Sequence, residues 1–158
     1  GGDSLSSRSS GGDVSFLIFL DEDGVEQRWL LGWSSKMLTQ KPTSTAWSEL
    51  AAHQRGLMDR ALPCSLLFED LSGYECPIRG NIDNTAVIQA IKNGYSVSLR
   101  HVARHSRLSL VNLQAVYTDG GSFLKYIESS KNVADITTKP LPSAAHWACV
   151  ESLQLRPL

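Results

Sequence analysis

Two β-rich runs joined by a short acidic turn are the feature that most constrains the fold of this chain. The first run is DVSFLIFL (13–20), and the second is EQRWLLGWSSKML (26–38). Between them stands DEDG (21–24), whose Asp and Gly residues favour tight turns. We therefore interpret Asp21 and Asp23 as turn residues rather than metal ligands, and the pattern predicts an antiparallel hairpin.

The rest of the chain alternates helical and β-type segments. The predicted elements are, in order, a helix over 41–62 that Pro63 breaks or kinks, a helical piece over 64–71, a short strand ending at Asp83, a helix over 85–93 that Asn84 caps and Gly94 closes, a helix over about 99–114, a strand over 122–129 and a terminal helix from Ser143. This order predicts an α/β fold whose mixed central sheet contains the hairpin and is flanked by helices. Residues 1–12, rich in Gly and Ser, are expected to form a flexible lead that can include a remnant of the first strand, before a domain over 13–158.

Composition narrows the class of protein. Hydrophobic residues make up 42% and charged residues 20% of 158, which is typical of a globular domain with a full-sized core. No apolar run approaches the roughly 18 residues of a membrane span, so we expect no membrane partner. Three widely spaced cysteines fit neither a zinc pattern nor a disulfide framework, which indicates a reducing, intracellular compartment. The tryptophans Trp29, Trp33, Trp47 and Trp147 are expected in the core rather than as base-stacking platforms.

A basic segment lies between Asp83 and Asp119, where the sequence contains no acidic residue. Arg100, Arg104 and Arg107 follow one another at spacings of four and three, so a helix would place them on one face. Such a face is a candidate for contact with a phosphate backbone, and the alternative is an ordinary solvated helix face.

Four of the 16 acidic residues have contexts that could position them for chemistry. Asp3 precedes the hairpin, Glu49 lies near the start of the clearest helix, Asp83 stands where a strand gives way to a helix, and Asp135 lies in the apolar frame of NVADITTKPLP (132–142). Three of them also have a structural interpretation: Asp83 and Asp135 as caps, and Glu49 as a first-turn partner of the helix dipole. Brought together, carboxylates repel one another unless cations share the site, and oxygen ligands of this kind suit Mg²⁺ or Mn²⁺.

These contexts are similar to a known family. IDNTAVIQAIKNG (82–94), LRHVARH (99–105) and LKYIESSKNVADITTKPLP (124–142) resemble the ribonuclease H domain at the end of copia-type LTR retrotransposon polyproteins. LGWSSKMLTQKPTSTAWSEL (31–50) looks like the hairpin strand and following helix of that family, and RSSGG (8–12) looks like its RSTSG segment. The resemblance spans about Asp3 to Pro142.

The resemblance implies an RNase H-like fold and a metal-dependent endonuclease that cuts the RNA strand of RNA–DNA hybrids. It implies two Mg²⁺ or Mn²⁺ ions held by Asp3, Glu49, Asp83 and Asp135, with Asp3 bridging the two. Asp135 would serve the ion that activates water, and Glu49 and Asp83 the ion at the departing 3′ oxygen. The chain would act beside a reverse transcriptase, in the cytoplasm, a virus-like particle or the nucleus.

Contacts to the nucleic acid are expected outside the metal ligands. The candidates are Thr43, Ser44, Thr45, Asn84, Arg100, His101, Arg104 and Arg107. Hydroxyl and backbone groups at a helix start can bind phosphate, and Asn84 can reach the minor groove, where 2′-hydroxyls distinguish RNA from DNA. His101 and His105 either assist product release or pack. Two other hypotheses stay open: a catalytically silent RNase H-like binding or structural module, and a DNA-cutting nuclease of the same superfold.

Overall fold

The structure, a computed structural model, describes residues 10–37, 45–97, 109–118 and 121–155. Its elements are β1 (Ser10–Leu20), β2 (Glu26–Met37), α1 (Thr45–Gly56), a π-helical turn (Leu57–Ala61), α2 (Leu62–Ser72), β3 (Arg79–Ile82), α3 (Thr85–Asn93), α4 (Leu110–Thr118), β4 (Phe123–Tyr126), two short 3₁₀ helices (Ser129–Lys131 and Val133–Thr137) and α5 (Ser143–Ser152). β1 begins at Ser10, so the last three residues of the expected flexible lead belong to the strand.

The predicted hairpin is confirmed. β1 and β2 pair in antiparallel register from Ser10 opposite Met37 to Leu20 opposite Glu26, with one irregularity after Ser15. Asp21 organises the turn, since its Oδ1 accepts hydrogen bonds from the backbone N–H groups of Asp23 (3.1 Å) and Val25 (2.8 Å). The turn chemistry of the sequence therefore fixes the register of the two longest strands.

The helix that follows the hairpin continues past the predicted break at Pro63. α1 passes through the π-helical turn into α2, and Pro63 lies in the first turn of α2. A proline is tolerated there because it follows the π-helical turn, where the backbone bond from the Leu62 N–H spans five residues to the Leu57 carbonyl oxygen instead of four. Among the described residues, no helix combines the length and the apolar character that a membrane crossing requires.

The core lies between α1, α3, α4 and the β3–β4 pair. Its buried members are Trp47, Leu50, Leu57, Ile82, Val87, Ile88, Ala90, Ile91, Leu110 and Leu113. Leu50, Ile91 and Leu113 are almost completely inaccessible to solvent. Burial of side chains of this size contributes about 1.5–3 kcal/mol each, so this layer holds α1 and α3 in fixed relative positions.

The strands form two separate sheets rather than the single mixed sheet expected from the sequence. β3 pairs in parallel with β4, from Arg79 opposite Phe123 to Ile82 opposite Tyr126, and the hairpin is a second sheet. The long hairpin strands hydrogen-bond to each other, and among the described strands the four-residue β3 pairs with β4. Side chains connect the sheets, because Arg79 Nη2 lies 3.1 Å from Glu26 Oε1. The molecule is therefore a mixed α/β fold with an antiparallel hairpin and a small parallel pair.

The prediction that all four tryptophans are core residues is wrong for three of them. Trp47 is buried, but Trp29, Trp33 and Trp147 are 61%, 59% and 54% exposed. Trp33 is next to Ser34, whose side chain points to Asp13 on the α1 side of the hairpin, so Trp33 points to the opposite face. Strand propensity alone does not reveal which face another element covers.

Candidate functional site

Three of the four predicted acids are brought into one neighbourhood from distant segments. Glu49 lies in the second turn of α1 as described, Asp83 directly follows the last residue of β3, and Asp135 lies in the 3₁₀ helix Val133–Thr137. All three side chains belong to partly buried residues. Because Glu49 lies beyond the first turn of the described helix, the structure gives no support for its interpretation as a helix-dipole partner.

Glu49 is the electrostatic centre of this group. Burial raises the pKa of its carboxyl group above the ordinary value of 4.5, and the negative charges of Asp83 and Asp135 raise this pKa further. A hydrogen bond from the Asn84 side chain and the positive charge of Lys139 act in the opposite direction. Charges influence one another in this way over distances up to about 10 Å, so these groups share one neighbourhood. Within the described residues, Glu49 Oε2 is buried and has no hydrogen-bond partner.

Asp135 is held in place by backbone bonds on both sides. The Asn132 side chain caps the 3₁₀ helix by accepting a hydrogen bond from the Ala134 N–H (3.2 Å). At the other end, the Thr138 hydroxyl donates to the Asp135 carbonyl oxygen at 3.2 Å, and the Lys139 N–H donates to the same oxygen at 3.2 Å. The carboxylate of Asp135 forms an ion pair with Lys139, whose Nζ lies 2.7 Å from Oδ2.

A glycine in β1 allows this 3₁₀ helix to lie against the hairpin. A Cβ atom at Gly12 would overlap the side chains of Thr137 and Thr138. Gly12, the last residue of RSSGG, therefore has a packing role, because a larger side chain would collide with the helix that carries Asp135. The same helix also contacts α5, where burial first and the charge of Asp135 second raise the pKa of Cys149.

Asn84 links the acid cluster to the core. Its side-chain oxygen accepts hydrogen bonds from the N–H groups of Ala86 (3.0 Å) and Val87 (3.4 Å), which confirms it as the cap of α3. The side chain of the same residue also lowers the pKa of Glu49. One residue thus fixes the start of a core helix and moderates the charge of a site carboxylate. Thr45, the first described residue of α1, is exposed.

Glu49, Asp83 and Asp135 are the residue types that bind Mg²⁺ or Mn²⁺, but their side chains are not arranged as metal ligands in this structure. Among residues 10–37, 45–97, 109–118 and 121–155, no three His, Cys, Asp or Glu side chains are arranged so that they could hold a metal ion. The donor set nevertheless suits a hard divalent cation, since it consists of carboxylates and one of them has a buried oxygen without a partner. We therefore regard the residues as compatible with such an ion.

Several predicted site residues lie outside the described part of the chain. They are Asp3, Thr43, Ser44, Arg100, His101, Arg104 and Arg107, together with His105. Their roles stay predictions from the sequence.

Two further groups were not predicted from the sequence. Lys139 belongs to the TTKPL motif, and its position four residues after Asp135 is a standard spacing for an ion pair. Asp13 forms a second cluster on the α1 side of the hairpin, where it contacts Ser34 and Arg60 and lies 3.8 Å from Arg55 Nε. Sequence reasoning placed Asp13 at the start of a strand and gave it no role.

Comparison with known proteins finds no matching family model, no matching curated protein and no matching solved structure. The resemblance to a family therefore rests on the sequence motifs quoted above alone.

Proposed function

We propose that this chain is an RNase H-like endonuclease that hydrolyses the RNA strand of RNA–DNA hybrids with Mg²⁺ or Mn²⁺. The observation that carries the proposal is the convergence of Glu49, Asp83 and Asp135. They come from a helix, a strand end and a 3₁₀ helix, yet the last two both raise the pKa of the first. A site of this kind concentrates negative charge at one place, as an oxygen-ligand cation site requires.

The chain's own residues have distinct tasks in this proposal. Glu49, Asp83 and Asp135 hold the metal, with Asp3 as the fourth ligand that the motifs imply. Asn84 orients Glu49, and the capped 3₁₀ helix fixes the backbone of Asp135. When bound, two divalent ions supply an activated water and the positive charge that offsets the negative charge developing on the scissile phosphate.

The substrate follows from the family motifs and from the distribution of charge. The hydroxyl and basic side chains predicted from the sequence would contact the two backbones, and Asn84 at the site would meet the RNA strand. The proposed setting is intracellular, next to a reverse transcriptase in the parent polyprotein. Binding through phosphate contacts weakens with added salt in proportion to the number of phosphates neutralised.

The experiment is a cleavage assay on an end-labelled RNA–DNA hybrid, with Mg²⁺ or Mn²⁺ and with EDTA as the metal-free reference. Asp83→Asn removes one charge from the cluster, and we expect it to abolish metal-dependent cleavage. Asp70→Asn is the matched control, because Asp70 is an exposed acid on α2 and lies outside the cluster. Its cleavage rate should equal that of the wild type.

Other outcomes select other functions. Hybrid binding without cleavage at any metal concentration would identify the catalytically silent module. Cleavage of a DNA duplex in place of the hybrid would identify a DNA-cutting nuclease of the same superfold. Cleavage that survives both Asp83→Asn and Glu49→Gln would show that the acid cluster is not the site.

A further inference from the structure

The described residues around Glu49 are Asp83, Asn84, Asp135 and Lys139. The proposed chemistry uses the first three and assigns no role to Lys139. Its Nζ lies 2.7 Å from Asp135 Oδ2, and its charge also lowers the pKa of Glu49. The ammonium group therefore acts on two of the three acids, which come from different elements. Lys139 is thus a counter-cation to the cluster as a whole.

The two partners of this ion pair differ in exposure. The Asp135 side chain is only 18% exposed, whereas the Lys139 side chain is 53% exposed. The Lys139 backbone is anchored by its N–H bond to the Asp135 carbonyl oxygen, so the side chain can leave the carboxylate without any change in the backbone. A lysine ammonium on a flexible stem is a hydrated point charge, and exposed ion pairs of this kind are weak.

We infer that Lys139 is a displaceable counter-cation, which occupies the Asp135 carboxylate until a divalent metal ion takes its place. The inference rests on the proposed function, because it assumes that the cluster binds such an ion. A single positive charge neutralises only part of the cluster, whereas a hard divalent ion satisfies several carboxylate oxygens at once. The lysine thereby limits repulsion among the acids and raises the metal concentration needed to fill the site.

The test compares Mn²⁺ binding by the full chain and by Lys139→Met, which keeps the length of the side chain and removes its charge. Free Mn²⁺ measured by electron paramagnetic resonance gives the dissociation constant without any activity assay. Ion pairs of this exposure are worth up to about a factor of five in an equilibrium constant, so we expect Mn²⁺ to bind Lys139→Met about three- to fivefold more tightly.

Lys131→Met is the matched control. Lys131 also pairs with an acid, Glu128 Oε2 at 3.1 Å, but both side chains are largely exposed and lie outside the cluster. It removes the same charge from the protein, so an effect of net charge alone would appear in both variants. We expect the Lys131→Met dissociation constant to equal that of the wild type.

A second measurement, of thermal unfolding, separates displacement of Lys139 by the metal ion from a general change in protein stability. Without metal, Lys139→Met should unfold at a lower temperature than the wild type, because the acids lose their counter-cation. Mn²⁺ should then raise its unfolding temperature by more than it raises that of the wild type.

The outcomes distinguish this inference from the proposed function. Equal or weaker Mn²⁺ binding by Lys139→Met overturns the counter-cation role of Lys139. If Asp83→Asn loses Mn²⁺ binding in the same series, the proposed metal site still stands. Mn²⁺ binding that neither Asp83→Asn nor Glu49→Gln weakens overturns the proposed site. Absence of binding in both the wild type and Lys139→Met overturns both.

Discussion

Replacement of Glu49 by Gln should make the metal-free protein more stable at neutral pH. Glu49 Oε2 is buried without a hydrogen-bond partner in the described part of the chain, and Asp83 and Asp135 add like charge. A buried polar atom without a partner costs about 1–3 kcal/mol. Since Glu49 is only half-buried and an amide still occupies the position, we expect the low end, a gain of about 1 kcal/mol in the free energy of unfolding.

The pH dependence gives this prediction its sign. The pKa of Glu49 is raised in the folded state above the ordinary 4.5, so folding disfavours the ionised form. Below pH 4.5 the carboxyl group is protonated in both states and the penalty is small. It grows as the pH rises from 4.5 and is complete above the folded-state pKa. The advantage of Glu49→Gln should therefore be present at neutral pH and mostly absent near pH 4.

Urea unfolding followed by tryptophan fluorescence measures the effect. The free energy of unfolding must depend on urea concentration with the same slope in both proteins, so that the difference between their midpoints reports a difference in stability. A gain of about 1 kcal/mol corresponds to a rise of about 2–4 °C in the unfolding temperature of a chain of this length. Glu128→Gln is the control, because Glu128 is an exposed acid paired with exposed Lys131, and its effect should stay within about 0.5 kcal/mol. A Glu49→Gln protein that is less stable at neutral pH, or equally favoured near pH 4, would refute the reasoning.

Substitutions at three further positions test the supports of the site and the separate cluster around Asp13. Asn84→Ala should lower the free energy of unfolding by about 1 kcal/mol, because α3 loses its cap, and thermal unfolding measures this change. Asn84→Asp should keep the cap but raise the pKa of Glu49, because it adds a like charge nearby, and NMR titration measures this shift. Gly12→Ala should destabilise the protein by about 1–3 kcal/mol and weaken Mn²⁺ binding, since its methyl group overlaps the acidic 3₁₀ helix. Asp13→Asn should lower stability by about 2–4 kcal/mol in urea unfolding, because it leaves the Arg60 charge with no carboxylate, while Mn²⁺ binding should stay unchanged.

Local structure was predictable where local chemistry decides it. Asp21 sets the hairpin turn with its own carboxylate, and Asn84 and Gly94 mark the two ends of α3 by a side-chain cap and a left-handed backbone (φ 70°). The passage of the helix through Pro63 was not predictable in the same way. It depends on the π-helical turn before Pro63, which relaxes the bonding pattern at a point that the sequence does not mark.

Features that depend on distant packing were the ones that sequence reasoning missed. Trp33 has strong strand propensity whether its face is covered or exposed, so only the tertiary structure decides its burial. The acids Glu49, Asp83 and Asp135 could be selected by context and resemblance, but their mutual approach is set by how α1, β3 and the 3₁₀ helix pack. Lys139 is the exception, because its spacing from Asp135 was readable in the sequence.

Asp13 and Glu49 differ in how their negative charges are compensated. The Asp13 side chain is only 11% exposed, and it contacts Ser34 and Arg60 and lies 3.8 Å from Arg55 Nε. The same fold therefore supplies full compensation where a carboxylate only has to be stable. Glu49 instead has a buried oxygen without a partner among the described residues and shares its surroundings with two further acids. Under the proposed function, these incompletely neutralised acids are where a divalent cation would bind.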